Sequence, residues 1–441
     1  MANDAELIVK DLNHVWHPCT IMKNLEQHPP LIIKRAKGAY IETDQGLLID
    51  AISSWWCKSL GHGHPGVIAA IQHQLHQFEH VIAANTTHEN RVYLAEELQA
   101  ISQKQHVFFA SDGACAIEIA IKLAVQAMSI KDQAHRHQFI ALRHAYHGET
   151  LGALSVSDLG LYKEAWARLS MPCHFLDIPY VNSIEDPLWR NAESAWKAAL
   201  PYVDSLKNHV CAIIVEPIIQ GGNGLRLYSA DFLTRLARYA KQHDIYLIAD
   251  EIMTGLGRTG EWLAGSYAQI QPDMICLSKG LTSGTIPLSC VLIDHDIYTL
   301  FYHQREPQYC FLHSHTHSGN ALGIAAALAT IRIIREENII QQARDLGSYM
   351  RQCFQEVIQA SGQFQNSRHI GAIVAADYSG EHPHFSQALA QAAQKAGALL
   401  RPIDNTLYWL PPLNTSRTTI EHLADITHQA IIKIQDKSCI V

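Results

Sequence analysis

The stretch "YLIADEIMTGLGRTG" (residues 246–260) decides how this chain is read. Four apolar residues, Tyr246 to Ala249, run straight into two adjacent carboxylates, Asp250 and Glu251, and then into a loop carrying Gly255, Gly257 and Gly260. A short apolar run bounded by Gly-rich chain is the pattern of a strand buried on both faces of a parallel sheet. A second run, "DMICLSKGL" (273–281), ends in Lys279, 29 residues beyond Asp250, about the length of one strand-to-strand crossover. In open α/β sheets the functional groups collect at the carboxyl ends of the strands, so this acid and this amine are expected to face one crevice.

The same pattern recurs along the chain. "VFFA" (107–110), "FIAL" (139–142), "CAIIVEP" (211–217), "IYLIAD" (245–250), "MICL" (274–277) and "SCVLI" (289–293) alternate with amphipathic stretches such as "ACAIEIAIKLAVQAM" and "DFLTRLARYAKQH". This predicts an α/β fold whose large domain, residues 61–325, holds a mostly parallel sheet covered by helices on both faces. After "GNALGIAAALATIRIIREENI" (319–339), read as a long connecting helix, Gln- and Ala-rich helix with a few strands ("GAIVAADY", "TLYWLPP") follows. Residues 326–441, joined by the N-terminal arm 1–60, are expected to form a smaller α+β domain.

Composition narrows the function. Of 441 residues, 48% are hydrophobic and 17% charged, enough for a sizeable core. A formal charge of −8, from 34 basic and 42 acidic residues, leaves no basic excess for nucleic acid or an anionic membrane, so small-molecule partners are expected. No apolar run approaches the roughly 18 residues of a membrane span and the start lacks a signal-peptide pattern, so a cytoplasmic protein is expected. The ten cysteines include no CxxC pair, as suits reduced thiols, and Cys439, third from the end, does not form a prenylation box.

Asp250 and Lys279 admit a bland reading, a structural ion pair, and a sharper one. In the sharper one Lys279 bonds the aldehyde of a cofactor and Asp250 keeps the cofactor's ring nitrogen protonated, the two groups that pyridoxal phosphate requires. "FFASDGACAIEIA" (108–120) adds a strand, a turn at Gly113 and a helix start whose free amides suit a phosphate, although that pattern is also ordinary punctuation. In "LRHAYHGETLGALSVSD" (142–158), Tyr146 or His147 is available to stack on a planar ring. His313, His315 and His317 of "HSHTH" share a face if extended, but no cysteine or carboxylate cluster joins them and no metal site is assigned.

Together, "IADEIMTGLGRTG", "LSKGLTSG", "EPIIQGGNG" and "AYHGET" resemble the class III aminotransferases, pyridoxal phosphate enzymes of fold type I, over nearly the whole chain. Within that family "HVWHPCT", "SSWWCKSLGHGHP" and "LLRPIDNTLYWLPP" are most similar to the members that convert 8-amino-7-oxononanoate to 7,8-diaminononanoate in biotin synthesis, with S-adenosylmethionine as amino donor. The resemblance implies Lys279, Asp250 and Tyr146 as catalytic residues, with Gly113, Ala114, Glu216 and Thr316 also at the cofactor, Thr316 reaching the phosphate from the other subunit of a homodimer. It implies Trp55, Arg258, Ser314, Arg401 and Tyr408 at the substrates, with Arg401 as partner of the keto-acid carboxylate, a role that suits a guanidinium fork.

Four segments depart from the family pattern. Cys19 stands where tyrosine is usual, Asp112 and Ala114 replace serines flanking Gly113, Glu149 replaces aspartate, and Ser314-His315-Thr316 replaces Gly-Pro-Thr. The nearest rival is an ω-aminotransferase for ornithine, 4-aminobutyrate or a similar amine. A rival of another class is a non-catalytic protein binding metal or ligand on the same fold.

Overall fold

The computed structural model of the chain describes residues 3–435; Cys439 lies outside the described residues. The N-terminal arm begins with a helix, Asp4–His14, whose cap Asn3 accepts a hydrogen bond from the Glu6 amide at 2.8 Å. Three antiparallel strands follow: β1 (Ile33–Lys37), β2 (Tyr40–Thr43) and β3 (Gly46–Asp50).

The next strands are β4 (His106–Ala110), β5 (Gln138–Leu142), β6 (Cys173–Leu176), β7 (Tyr180–Val181) and β8 (Val210–Val215). They continue as β9 (Ile219–Gln220), β10 (Arg226–Tyr228), β11 (Tyr246–Asp250), β12 (Met274–Leu277) and β13 (Ser289–Ile293). Seven of these form one sheet in the order β4-β13-β12-β11-β8-β5-β6, and β7, β10 and β9 form a small antiparallel sheet. All pairings in the large sheet are parallel except those of β13, which runs against both β12 and β4. The carboxyl ends of β4, β5, β8, β11 and β12 therefore share one edge.

Every residue of β8, β11, β12 and β13 is buried, which is why these strands read as unbroken apolar runs. Strand β6, at the sheet edge with only Leu176 buried, escapes the apolar-run pattern because His174 interrupts it. Helix Gly113–Ile130 qualifies the expectation that no apolar run nears a membrane span, since it has 18 residues and is apolar enough to cross one. Half of it is buried inside the fold, and it packs on β12 and β13, so its apolar face covers the sheet.

The expected connecting helix is Ala321–Glu336, and a second helix, Ile339–Ser361, starts after Asn338 in a left-handed conformation. Beyond it β14 (Phe364–Ile370), β15 (Ile373–Tyr378) and β17 (Thr406–Trp409) pair antiparallel. Strand β16 (Ala398–Leu399) instead joins β3 of the arm in parallel, with Leu399 opposite Asp50. Both ends of the chain thus share a sheet. Trp409 and Phe354 meet edge-on at 4.9 Å in the core beneath it.

Gly347, inside helix Ile339–Ser361, lies so close to the β14–β15 turn that an added Cβ would sit 1.8 Å from the Gly371 carbonyl oxygen. Gly to Ala normally gains about 1 kcal/mol in a helix, but overpacking against fixed backbone costs about 1–3 kcal/mol. Gly347→Ala is therefore expected to lower the urea midpoint and Tm, and a raised Tm would mean that the helix can shift away from this turn.

Candidate active site

Parallel pairing of β11 on β12 sets Asp250 opposite Cys276, so Lys279 follows three residues later on the same edge of the sheet. Lys279 starts a short 3-10 turn with φ +42°, and its Nζ lies 4.7 Å from the centre of the Trp56 ring. Burial lowers its pKa from the ordinary lysine value, against the opposing pull of Asp250 and Glu216. Asp250 is buried, and its Oδ2 lies 2.7 Å from His147 Nδ1 while its Oδ1 accepts the Ile252 amide at 3.1 Å. His147 is buried too, and its Nε2 has no hydrogen-bond partner among the described residues.

Glu216 follows the end of β8 and accepts two amides, from Gly221 at 2.8 Å and Tyr146 at 3.0 Å. Burial pushes its pKa up to about 7, with Asp250 adding to the shift and His147 and the two amides opposing it. The Tyr146 hydroxyl donates to Glu149 Oε1 at 2.9 Å. Burial, reinforced by Glu149, raises the Tyr146 pKa well above the ordinary phenol value.

These groups, with Gly113 and Ala114, line one cavity of about 480 Å³. The amides of Gly113 and Ala114, in the first turn of their helix, have no acceptor among the described residues. Asp112, the departure that set a negative charge beside a candidate anion site, is the cap of this helix. Its carboxylate accepts the Cys115 amide at 3.0 Å and the Cys115 thiol at 3.1 Å. Gly148 has φ +127°, and a Cβ there would sit 2.7 Å from the Ala114 Cβ, so only glycine lets the Tyr146 turn approach the helix start this closely.

Glu251, adjacent to Asp250, has a different task. It accepts the amides of Ala264 at 3.0 Å and Gly265 at 2.8 Å and the hydroxyl of Thr254, which ties down the Gly-rich loop. Successive strand residues point to opposite sides, so one of the two carboxylates serves the cavity and the other the loop.

The residues expected at the substrates are spread more widely. Tyr408 is buried and its hydroxyl accepts Trp56 Nε1–H at 3.1 Å. Trp55 is 44% exposed and stacks under the Arg401 guanidinium at 4.1 Å. Arg258 is not brought to the cavity. It is buried, donates to the carbonyls of Pro411 at 2.6 Å and Ala372 at 3.4 Å, and reaches Ser53 Oγ at 3.4 Å. Burial lowers its pKa to about 9. Ser314 and Thr316 are exposed and outside the cavity lining of this chain. The histidines of their segment do not form one extended face. His313 bonds Lys122 Nζ at 2.9 Å and packs on His315 at 4.8 Å, whereas His317 packs on His80 at 4.9 Å.

Sequence reasoning missed the His147–Asp250 bond and a second such pair, His62–Asp50, at 2.8 Å. A signal for Asp50 was present, since it closes the apolar run Leu47 to Ile49 just as Asp250 closes its own. Burial alone would raise the Asp50 pKa, yet hydrogen bonds from His62 and Ser54 hold it below the ordinary carboxylate value.

Burial pushes the Glu251 pKa from 4.5 up to about 7. The folded state therefore binds this proton more tightly than the unfolded chain, and the resulting stability is full below pH 4.5 and lost as pH rises through about 7. Glu251→Gln is expected to show a smaller fall in Tm between pH 5 and pH 7.5 than the unaltered protein. An unchanged difference would remove Glu251 from the pH dependence.

The cavity suits pyridoxal phosphate by its donor set: an amine at Lys279, a carboxylate at Asp250 for a protonated ring nitrogen, unpaired amides at Gly113 and Ala114 for a phosphate, and an aromatic ring at Tyr146. The family profile described as Aminotransferase class-III matches residues 21–431. The chain is similar to the adenosylmethionine-8-amino-7-oxononanoate aminotransferases of Helicobacter pylori, 34% identical with 92% of this chain and 93% of that one covered, and of Synechococcus elongatus, 36% identical with 93% and 96% covered. It is also similar to the crystal structure of an amine transaminase from an uncultivated Pseudomonas species in the PLP-bound form, 29% identical with a TM-score of 0.88 over 95% of this chain and 98% of that one. With a match that spans the arm, the large sheet and the C-terminal strands alike, the chain belongs to the class III aminotransferases, pyridoxal phosphate enzymes of fold type I.

Proposed function

We propose that this aminotransferase converts 8-amino-7-oxononanoate to 7,8-diaminononanoate, with S-adenosylmethionine as amino donor, as a cytoplasmic homodimer of biotin synthesis. One observation carries the substrate assignment: both relatives at 34% and 36% identity, covered over more than nine-tenths of each chain, are named for this reaction. The cavity chemistry supports it, since a single site must serve two different partners in turn and has aromatic walls at Trp56 and Tyr146, with the Arg401 guanidinium on Trp55 outside that lining.

When bound, pyridoxal phosphate supplies an aldehyde that captures amines and a ring that accepts the electrons of a carbanion. Residues 61–325 form its domain, and residues 1–60 with 326–441 the smaller one. Lys279, with its pKa lowered by burial, holds a larger neutral fraction at its Nζ and moves the proton from the donor's α-carbon. Asp250, fixed in orientation by His147, is the acceptor for the ring N–H, and an ionised carboxylate there keeps that nitrogen protonated. Tyr146 offers the flat wall, and Glu216 sits beside it, holding the Tyr146 and Gly221 amides. Gly113 and Ala114 offer amides to the phosphate, which Thr316 of the second copy approaches from outside, with Ser314 next to it. Arg401 takes the carboxylate of the keto acid through paired N–H groups. Arg258, which donates to the Pro411 and Ala372 carbonyls and to Ser53 Oγ, contributes by holding Ser53 and the Pro411 chain.

A second reading, an ω-aminotransferase for ornithine, 4-aminobutyrate or a similar amine, draws on the likeness to the amine transaminase and on Cys19 and Glu149. The absorbance spectrum of cofactor-loaded protein separates the two. S-adenosylmethionine alone is expected to abolish the visible band and raise a near-ultraviolet one. A band indifferent to it but discharged by ornithine or 4-aminobutyrate would overturn the donor assignment. Lys279→Ala is expected to lack the visible band of the free enzyme and to slow the half-reaction by about 100-fold or more.

A further inference from the structure

Four consecutive residues without a glycine, Ser53, Ser54, Trp55 and Trp56, have φ of +50°, +45°, +71° and +72°. They form one turn of left-handed helix between β3 and the chain leading to Leu60, closed by the Trp56 amide on the Ile52 carbonyl at 2.8 Å and the Cys57 amide on the Ser53 carbonyl at 2.9 Å. For L-residues this conformation costs about 1–2 kcal/mol each, so it persists only where the surroundings over-determine it, as at functional sites. A glycine-bearing turn would make the same connection without strain. This chain keeps two indoles there instead.

The anchor is Asp50, whose side chain is fully buried. Its Oδ1 accepts the Ser54 amide at 2.9 Å and the Ile52 amide at 3.4 Å, and its Oδ2 accepts the Ser54 hydroxyl at 2.7 Å and pairs with His62 Nε2 at 2.8 Å. From below, Ser53 Oγ donates to the Leu410 carbonyl at 2.7 Å. The turn sends its two tryptophans to different sides. Trp56 lies over the Lys279 amine and donates to Tyr408, while Trp55 stacks on Arg401. Sheet register makes the second contact possible: Asp50 and Leu399 are partners on neighbouring parallel strands, and Trp55 and Arg401 are the side chains that follow those strand ends.

We propose that Asp50 and His62 are positioning residues for the amino-group acceptor, holding the left-handed turn so that Trp55 and Arg401 form one wall of its binding site. This rests on the assignment of Trp55 and Arg401 to the acceptor. Neither residue lines the cavity, so the pair acts through the turn. The glutamine amide can replace the ring N–H that faces Asp50, whereas alanine cannot.

The test compares His62→Ala, His62→Gln, Asp50→Asn and Arg401→Ala in the cofactor-loaded enzyme, measuring the KM for 8-amino-7-oxononanoate, kcat, the S-adenosylmethionine half-reaction and Tm. His62→Ala and Asp50→Asn are expected to raise the acceptor KM by about tenfold, the effect of one mispositioned contact, while the donor half-reaction and visible band stay unchanged and His62→Gln restores most of the loss. A lowered Tm with an unchanged KM in both His62 variants would make the pair merely structural and overturn the proposal. If Asp50→Asn fails to fold, the two His62 variants decide alone. Arg401→Ala separates the premise from the proposal: an unchanged KM there removes the acceptor wall itself, whereas a raised KM there with an unchanged KM in His62→Ala removes only the positioning role.

Discussion

The parallel register of β11 on β12 is the constraint on which the site depends. Neighbouring strands lie about 4.8 Å apart, so with Asp250 opposite Cys276 the sheet delivers Lys279 to the edge that carries the acid, and the short 3-10 turn that Lys279 starts just past β12 completes its placement. Strand β8 on the other side of β11 brings Glu216 to the same edge, and β5 brings Tyr146 and His147. One amine thus faces two buried carboxylates in a region where burial disfavours charge. The two effects oppose each other: burial lowers the lysine pKa and raises that of Glu216 to about 7, while each carboxylate pulls the lysine back toward its charged form.

Hydrogen bonding distributes the work among these carboxylates. Asp250 receives one backbone amide and the His147 ring, which leaves it directed at the cavity. Glu216 receives two amides from two loops and so ties the Tyr146 turn to the Gly221 turn. Glu251 has both oxygens committed to the 264–265 amides and Thr254, and organises the glycine loop without facing the cavity. The abrupt pair of acids at the end of an apolar strand is therefore one group for chemistry and one for architecture.

The arm and the C-terminal strands supply the outer wall. Because β16 pairs with β3, two segments more than 300 residues apart end at the same place, and a strained turn follows β3 there. Arg258 shows the converse. It sits in the glycine loop where a cation is conspicuous, but the loop folds inward and the guanidinium donates to two backbone carbonyls of the C-terminal segment and to the Ser53 hydroxyl. A buried Arg among carbonyls is a brace between segments.

How much was legible follows from range. Strands buried on both faces announce themselves as continuous apolar runs, as β5, β8, β11, β12 and β13 do, and the edge strand β4 was readable because its Val107-Phe108-Phe109-Ala110 run is unbroken, while His174 interrupts β6. The ends of those runs displayed Asp250 and Lys279, and the strand-turn-helix at Gly113 displayed the free amides. Pairing between distant side chains left no local trace, so His147 on Asp250 and His62 on Asp50 emerged only from the packed chain. What the sequence by itself determined is the inventory of strands and the chemical groups at their ends, because burial and φ/ψ preference act over a few residues. What only the tertiary structure decided is which group faces which: that Glu251 turns to a loop, Arg258 to carbonyls and Trp55 to Arg401, because hydrogen-bond satisfaction of buried polar groups is settled between segments that meet only when the chain is folded.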